Sequence, residues 1–265
     1  ARGIAECKKI FFSEYAEKWL YMFKLTSVEL SSFDHYEMIY KNHIKPVLGD
    51  YQLGSIRASD IQNLINKKSR DYSYPIVKKI RSLLAEIFQY AYTEGDIAKN
   101  PVDNVVLPKK GLFKPSKDIL VLEDEEVRRL EEVAKMQTKA GHPVLTHADL
   151  MVFIVHTGLR CGEVLALKWS DIDFSKRTVT VSKNLTRIKE REQGKSIHKR
   201  MNYVKGTKTE SGKRVVPLNS KAVEALKHLQ AIYKEYGITS SNVASSKNNT
   251  PLNNARMHRL LERML

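Results

Sequence analysis

The sequence predicts a mainly α-helical protein with a small antiparallel sheet, divided into two domains. Three observations carry this. Apolar residues recur at helical spacing through the first hundred residues, and a basic tract bracketed by prolines, Pro108 to Lys117, then breaks the pattern. Beyond it, helical stretches alternate with two short runs of strand-like character. The 265 residues are enough for two cores of ordinary size. These features divide the chain into a helical domain over 1–110, a linker over 111–117 and an α+β domain over 118–265.

In the first domain Phe11, Phe12, Tyr15, Trp19 and Phe23 recur at helical spacing, and Ser31 or Ser32 can cap a second helix. Ser59-Asp60-Ile61-Gln62 has capping-box spacing at the start of a third. A fourth is expected from about Pro75 to Glu94, with Ile76, Ile80, Leu83, Leu84, Ile87, Phe88 and Ala91 inward and Gly95 as its stop. Asn100-Pro101 turns the chain toward the linker. Aromatic stripes at this spacing are read as packed core and not as base-stacking platforms.

In the second domain, Asp124 to Val133 begins a helix whose first turn is acidic, as the helix dipole favours. Leu150 to Leu167 supplies two helical pieces broken at Thr157-Gly158. Arg177 to Val181 alternates as a strand does, and Val215 to Leu218 reads as another. Asn219 or Ser220 caps a long helix with Val223, Leu226, Leu229, Ile232 and Tyr233 inward, closed by Gly237.

Charge narrows the function classes. The chain carries a net +15 with a pI near 9.6, a balance that favours a polyanionic partner because neutralising phosphates releases counterions. Residues 183–214 concentrate it, with eleven lysines and arginines against three acids. We read this segment as turn-rich and lying along a phosphate backbone, part of it a surface loop when DNA is absent. The expected DNA-facing groups are Lys67, Lys68, Arg70, Lys78, Lys79 and Arg81 in the first domain, and Lys183, Arg187, Lys205, Lys213 and Arg214 in the second. No apolar run reaches membrane-spanning length, and no basic helix has a clean apolar face, so a membrane partner is not expected. Cys7 and Cys161 make neither a disulfide framework nor a zinc site, which fits a reducing cytoplasm. There is no P-loop, and no cofactor is expected.

The chemistry-bearing stretch is Thr157-Gly158-Leu159-Arg160-Cys161-Gly162-Glu163-Val164-Leu165, continuing to Trp169-Ser170-Asp171-Ile172-Asp173. It places an arginine where two helices meet at a glycine turn, and a guanidinium beside helix-start N–H groups suits a phosphate oxygen. Glu163, one turn on, faces the same side and can orient Arg160, or serve simply as a helix N-terminal acid. A second stretch, Gly206-Thr207-Lys208-Thr209-Glu210-Ser211-Gly212-Lys213-Arg214-Val215-Val216-Pro217-Leu218, reads as a hairpin turning at Glu-Ser-Gly. Asp171 and Asp173 could belong to a metal-dependent nuclease, but two carboxylates at a helix-to-strand junction serve more often as turn formers and caps.

Both stretches resemble the active-site boxes of the tyrosine recombinases, the phage-type integrases. The first half resembles their helical, SAM-like core-binding domain through Asn42-His43-Ile44-Lys45-Pro46-Val47-Leu48-Gly49 and Ala91-Tyr92-Thr93-Glu94-Gly95-Asp96-Ile97-Ala98-Lys99-Asn100-Pro101-Val102. The resemblance implies that Arg160 stabilises the non-bridging oxygens of a scissile phosphate, and that a hairpin lysine protonates the departing 5′ oxygen. Matching the family frame selects Lys208 for that lysine, with Lys205 as second choice. It further implies a 3′-phosphotyrosyl intermediate, double-stranded recombination core sites as substrate, a homotetramer in the active synapse, and a bacterial mobile element, phage or conjugative transposon, as source. The family completes its site with a His-x-x-Arg box, a later His or Trp, and a tyrosine. No histidine here begins such a box, and after Arg160 the tyrosines are Tyr203, Tyr233 and Tyr236, all ahead of where the nucleophile falls. The chain is therefore expected to be C-terminally truncated and inactive as written. The alternative is a fragment that occupies recombination sites without cutting them.

Overall fold

A computed structural model describes residues 9–115, 121–192, 195–206 and 213–265. The chain forms two compact units: residues 1–119 together with Lys189–His198, and residues 120–188 with 199–265.

The first unit is helical. Helix α1, Phe12–Trp19, runs through a π turn at Leu20–Lys24 into α2, Leu25–Ser27. Phe12, Tyr15 and Trp19 are buried as their spacing requires, whereas Phe11 and Phe23 stay exposed. Helix α3, Leu30–Ile39, continues through a second π turn at Tyr40–Ile44 into α4, Lys45–Leu48. It starts one turn earlier than the serines suggest: Glu29 occupies the cap position, and Ser31 and Ser32 lie inside the helix. Helix α5, Ala58–Asp71, also starts before the expected box, because the Asp60 carboxylate accepts from the Arg57 backbone N–H at 2.8 Å. Gln62 is thereby released to bond both backbone groups of Val106.

Helix α6, Tyr74–Thr93, buries Val77, Ile80, Leu83, Leu84, Ile87, Phe88 and Ala91. Val77 takes the inward place expected of Ile76. Full burial of each large apolar side chain contributes about 1.5–3 kcal/mol, so this face anchors the unit. Phe88 stacks on Phe12 at 5.2 Å between ring centroids. The Asn100 side chain accepts from the Val102 N–H, making the expected turn. Within 111–117, Phe113 is buried in this core with its ring edge-on to Tyr74.

In the second unit α7, Asp124–Lys135, α8, Ala148–Thr157, and α10, Ser220–Glu235, enclose a core that includes Leu130, Leu150, Phe153, Leu226 and Leu229. Asn219 caps α10 by accepting from the Ala222 N–H at 2.9 Å. Between α8 and α10 lie the short helix α9, Cys161–Ala166, and three antiparallel strands in the order β1, β2, β5. These are β1, Ile172–Asp173, β2, Thr178–Val181, and β5, Arg214–Pro217. Val179 and Val181 point into the core while Thr180 faces out. The register pairs Val179 with Val216 and Val181 with Arg214. Helix α11, Asn254–Met264, closes the described chain.

The basic segment departs from expectation. It is no turn-rich loop: β3, Lys183–Glu192, and β4, Lys195–Gly206, pair as a separate two-stranded sheet. Its apolar residues explain why. Leu185 and Ile188 are buried among polar and charged neighbours, so the ribbon has apolar side chains to pack and is not a fully solvated loop.

Candidate active site

The site is built where α8 stops. Gly158 adopts φ +64°, the left-handed conformation that a residue with a Cβ enters only at a cost, and its N–H bonds to the Ile154 carbonyl. The chain then turns sharply, and Arg160 sits in extended conformation immediately before α9. Gly162 is required by contact and not by torsion. A Cβ there would lie 2.0 Å from the Asn184 Oδ1 and 2.9 Å from the Leu185 carbonyl oxygen, so α9 lies flush against β3.

Arg160, Glu163 and Arg214 come together. The Glu163 Oε2 accepts from the Arg160 backbone N–H at 2.9 Å and from Arg214 Nη2 at 2.8 Å. Its Oε1 accepts from Arg214 Nη1 at 3.0 Å and Arg160 Nη1 at 3.2 Å. The Glu163 side chain is 5% exposed, Arg214 33% and Arg160 81%. A buried carboxylate with four N–H donors holds its charge firmly. The Arg214 fork, with the Arg160 contacts behind it, pulls Glu163 down to about 2, and Glu163 in turn raises Arg214. Glu163 stands in the first turn of α9 and bonds the Arg160 guanidinium. Of the backbone N–H groups at this helix start, that of Arg160 is bonded to Glu163, and the Arg160 guanidinium faces solvent.

Lys208 lies outside the described residues. Lys205, on β4, is partly buried, and Lys213 is exposed. Asp171 accepts from the Lys168 N–H at 2.9 Å, and Asp173 accepts from the Ser175 hydroxyl and the Lys176 N–H, which are capping and turn duties. Cys161 donates its thiol to the Asn254 Oδ1 at 3.3 Å, and burial raises its pKa. Tyr233 is buried, bonds the carbonyls of Val243 and Ser245, and is pushed up to about 12 by burial, a structural tyrosine.

The expected DNA-facing groups fall into two sets. Lys67, Arg70, Lys78, Lys183 and Arg187 are exposed. Lys68 sits over the Tyr72 ring, Lys79 contacts the His35 Nε2 at 3.0 Å, and Arg81 donates to the Val105 carbonyl at 3.0 Å. Sequence reasoning missed a charged cluster in the first unit. There the Lys189 Nζ donates to the buried Glu37 at 2.8 Å, Lys41 adds a bond at 2.9 Å, and Tyr21 donates its hydroxyl to the same carboxylate. Arg191 pairs with Asp34 and lies over the Phe33 ring. Part of the positive charge of 183–214 is thus consumed internally. Nothing local signals this, because the partners are more than 150 residues apart.

Residues 120–265 match the phage integrase family, and residues 11–69 match the phage integrase N-terminal SAM-like domain. A relative named "Tyrosine recombinase XerC-like" from Caldanaerobacter subterraneus subsp. tengcongensis is 30% identical over 85% of this chain and 56% of its own. The Tn1549 transposon integrase, solved in complex with transposon right-end DNA, aligns with TM-score 0.68 at 20% identity, covering 94% of this chain and 78% of that one. A lambda integrase tetramer bound to a Holliday junction aligns with TM-score 0.67 at 19% identity, covering 96% and 65%. The chain spans roughly a third to two thirds of the length of the curated relatives it matches.

Proposed function

Because the chain belongs to the phage integrase family, we propose that the protein is a site-specific recombinase of a bacterial mobile element, a phage or a conjugative transposon. It cuts and rejoins double-stranded DNA through a 3′-phosphotyrosyl intermediate, and acts as a tetramer on two duplexes. The observation that carries this reading is the exposed Arg160 guanidinium, supported from behind by the buried Glu163 carboxylate. In-line attack on a phosphodiester builds charge on the two non-bridging oxygens. A planar fork of N–H donors matches that pair of oxygens, and removing such a donor costs about 10²–10³ in rate. Lys208, six residues before Arg214, would protonate the 5′ oxygen as it leaves. The phosphotyrosyl bond conserves the energy of the broken linkage, so rejoining needs no nucleotide. Tyr233 is committed to the core and is not proposed as the nucleophile.

Lys67, Lys68, Arg70, Lys78, Lys79, Arg81, Lys183, Arg187, Lys205 and Lys213 are proposed to contact the DNA backbone. Phosphate contacts position a duplex without reading its sequence. Cytoplasmic, DNA-associated localisation follows from the reading.

The test is cleavage of a nicked recombination-site duplex by the full-length protein in EDTA. A protein–DNA adduct that survives denaturant and leaves a free 5′-hydroxyl supports the proposal. Cleavage abolished by EDTA would replace it with a metal-dependent nuclease. DNA binding without any adduct would replace it with a site-occupying protein.

A further inference from the structure

We propose that Arg214 is a positioning residue for Arg160, acting through Glu163, and that it does not contact DNA phosphate. The inference rests on the recombinase reading of Arg160 and assigns Arg214 a duty different from the one its charge suggests. Three observations carry it.

The first is geometric. Arg214 meets the Glu163 carboxylate with two parallel bonds, 3.0 and 2.8 Å, which fix the plane of that carboxylate and not merely its position. The remaining acceptor directions of both oxygens then point to Arg160, one at its backbone N–H and one at its guanidinium. Among the described residues Glu163 is the only side-chain partner of the Arg160 guanidinium, which is otherwise free to sweep through solvent at 81% exposure. Whatever fixes the Glu163 plane therefore fixes Arg160.

The second is electrostatic. A buried carboxylate paired with Arg160 alone would cancel the positive charge that an incoming phosphate needs. With Arg214 present the three groups carry a net +1, and the better hydrogen-bonding geometry lies on the Arg214 side. Arg160 is oriented without being neutralised.

The third is rigidity. Arg214 opens β5, where its backbone is paired with Val181 of β2, and Val181 is buried. The guanidinium that holds Glu163 is thus tied to the sheet. Its terminal Nη1/Nη2 fork is also occupied by Glu163, 51 residues away in sequence.

The experiment is single-turnover cleavage by the full-length protein carrying Arg160→Ala, Arg214→Gln or Arg214→Lys. Each is assayed on a normal substrate and on one whose scissile phosphate is a neutral methylphosphonate. Salt dependence of DNA binding is measured alongside. Arg214→Gln is expected to slow cleavage by about 10- to 100-fold, the usual scale for losing a group that orients a directly acting residue. Arg214→Lys should be as slow, because an ammonium cannot form the fork. Both the Arg160→Ala and the Arg214→Gln deficits should shrink together on the methylphosphonate, where there is no phosphate charge for Arg160 to stabilise. The slope of log K against log salt should stay at its wild-type value.

Full activity of Arg214→Lys, or a slope reduced by about 1 in Arg214→Gln, would overturn the proposal in favour of a direct phosphate contact. So would an Arg214→Gln deficit that persists on the methylphosphonate while that of Arg160→Ala disappears. If Arg214→Gln fails to fold, the Glu163→Gln/Arg214→Gln pair, which leaves no buried charge uncompensated, takes its place: slow cleavage supports the proposal and wild-type cleavage overturns it. Normal cleavage by Arg160→Ala would instead overturn the recombinase reading of the site.

Discussion

Replacing Glu163 by glutamine removes one charge from a carboxylate that is 5% exposed and accepts four N–H bonds. The cost follows from how firmly the folded protein holds that charge. Glu163 is lowered from 4.5 to about 2, chiefly by Arg214. At ~1.4 kcal/mol for each tenfold change in proton affinity, this corresponds to roughly 3 kcal/mol of stability at pH 7. Because the folded value lies below the unfolded one, that stability is fully present above about pH 4.5 and is lost as pH falls through about 2. Linkage then leaves less than half of it at pH 3. Urea unfolding of wild type and Glu163→Gln at pH 7 and at pH 3 reads this directly. With a slope of about 2 kcal/mol per molar, the midpoints should differ by about 1.5 M at pH 7 and by less than half of that at pH 3. A gap that is the same at both pH values would refute the reasoning, because it would place the cost of the substitution in packing and not in the charge.

Arg160→Ala in the full-length protein should lower cleavage at least 10²-fold while leaving DNA affinity nearly unchanged, as read by adduct formation and by gel shift. Lys208→Ala should cleave slowly on a normal substrate and recover on one whose 5′ leaving group needs no proton; absence of recovery would remove the general-acid role. Gly162→Ala should cost about 1–3 kcal/mol and lower the melting temperature, because the new methyl meets the Leu185 backbone as well as the Asn184 side chain. A melting temperature equal to that of wild type would show that β3 yields at this point.

Much of this was legible in the chain because the signals are local. The inner face of α6, the left-handed stop at Gly158 and the Asn219 cap each depend on residues within a turn or two of one another. Arg160 and Glu163 were legible for the same reason: three residues apart at the start of a helix, they meet in any chain that folds locally. What sequence reading missed depends on distant encounters. Arg214 resembles any other cation of a basic segment until β5 pairs with β2 and brings it to Glu163. The burial of Glu37 under Lys189 had no local trace. The capping errors have a different cause. At α5 the Asp60 carboxylate reaches back to the Arg57 N–H and moves the boundary ahead of Ser59, whereas α3 begins after Glu29 with no side-chain cap bond at all.

The pairing of Val181 with Arg214 also bears on how such a chain can change over evolutionary time. The backbone leaves the three-stranded sheet at one strand end and re-enters it on the neighbouring strand directly opposite. Everything between is an excursion whose two ends are already held together. Lengthening a flexible excursion of this kind adds only about 0.6 kcal/mol per doubling, so the sheet and the arginine–glutamate cluster place almost no limit on its size. Insertions and deletions between these paired ends are therefore open to selection where they spare the buried Leu185 and Ile188 and the Lys189 and Arg191 contacts. A lineage under pressure to engage new DNA partners can vary this segment while Arg160 stays where it is.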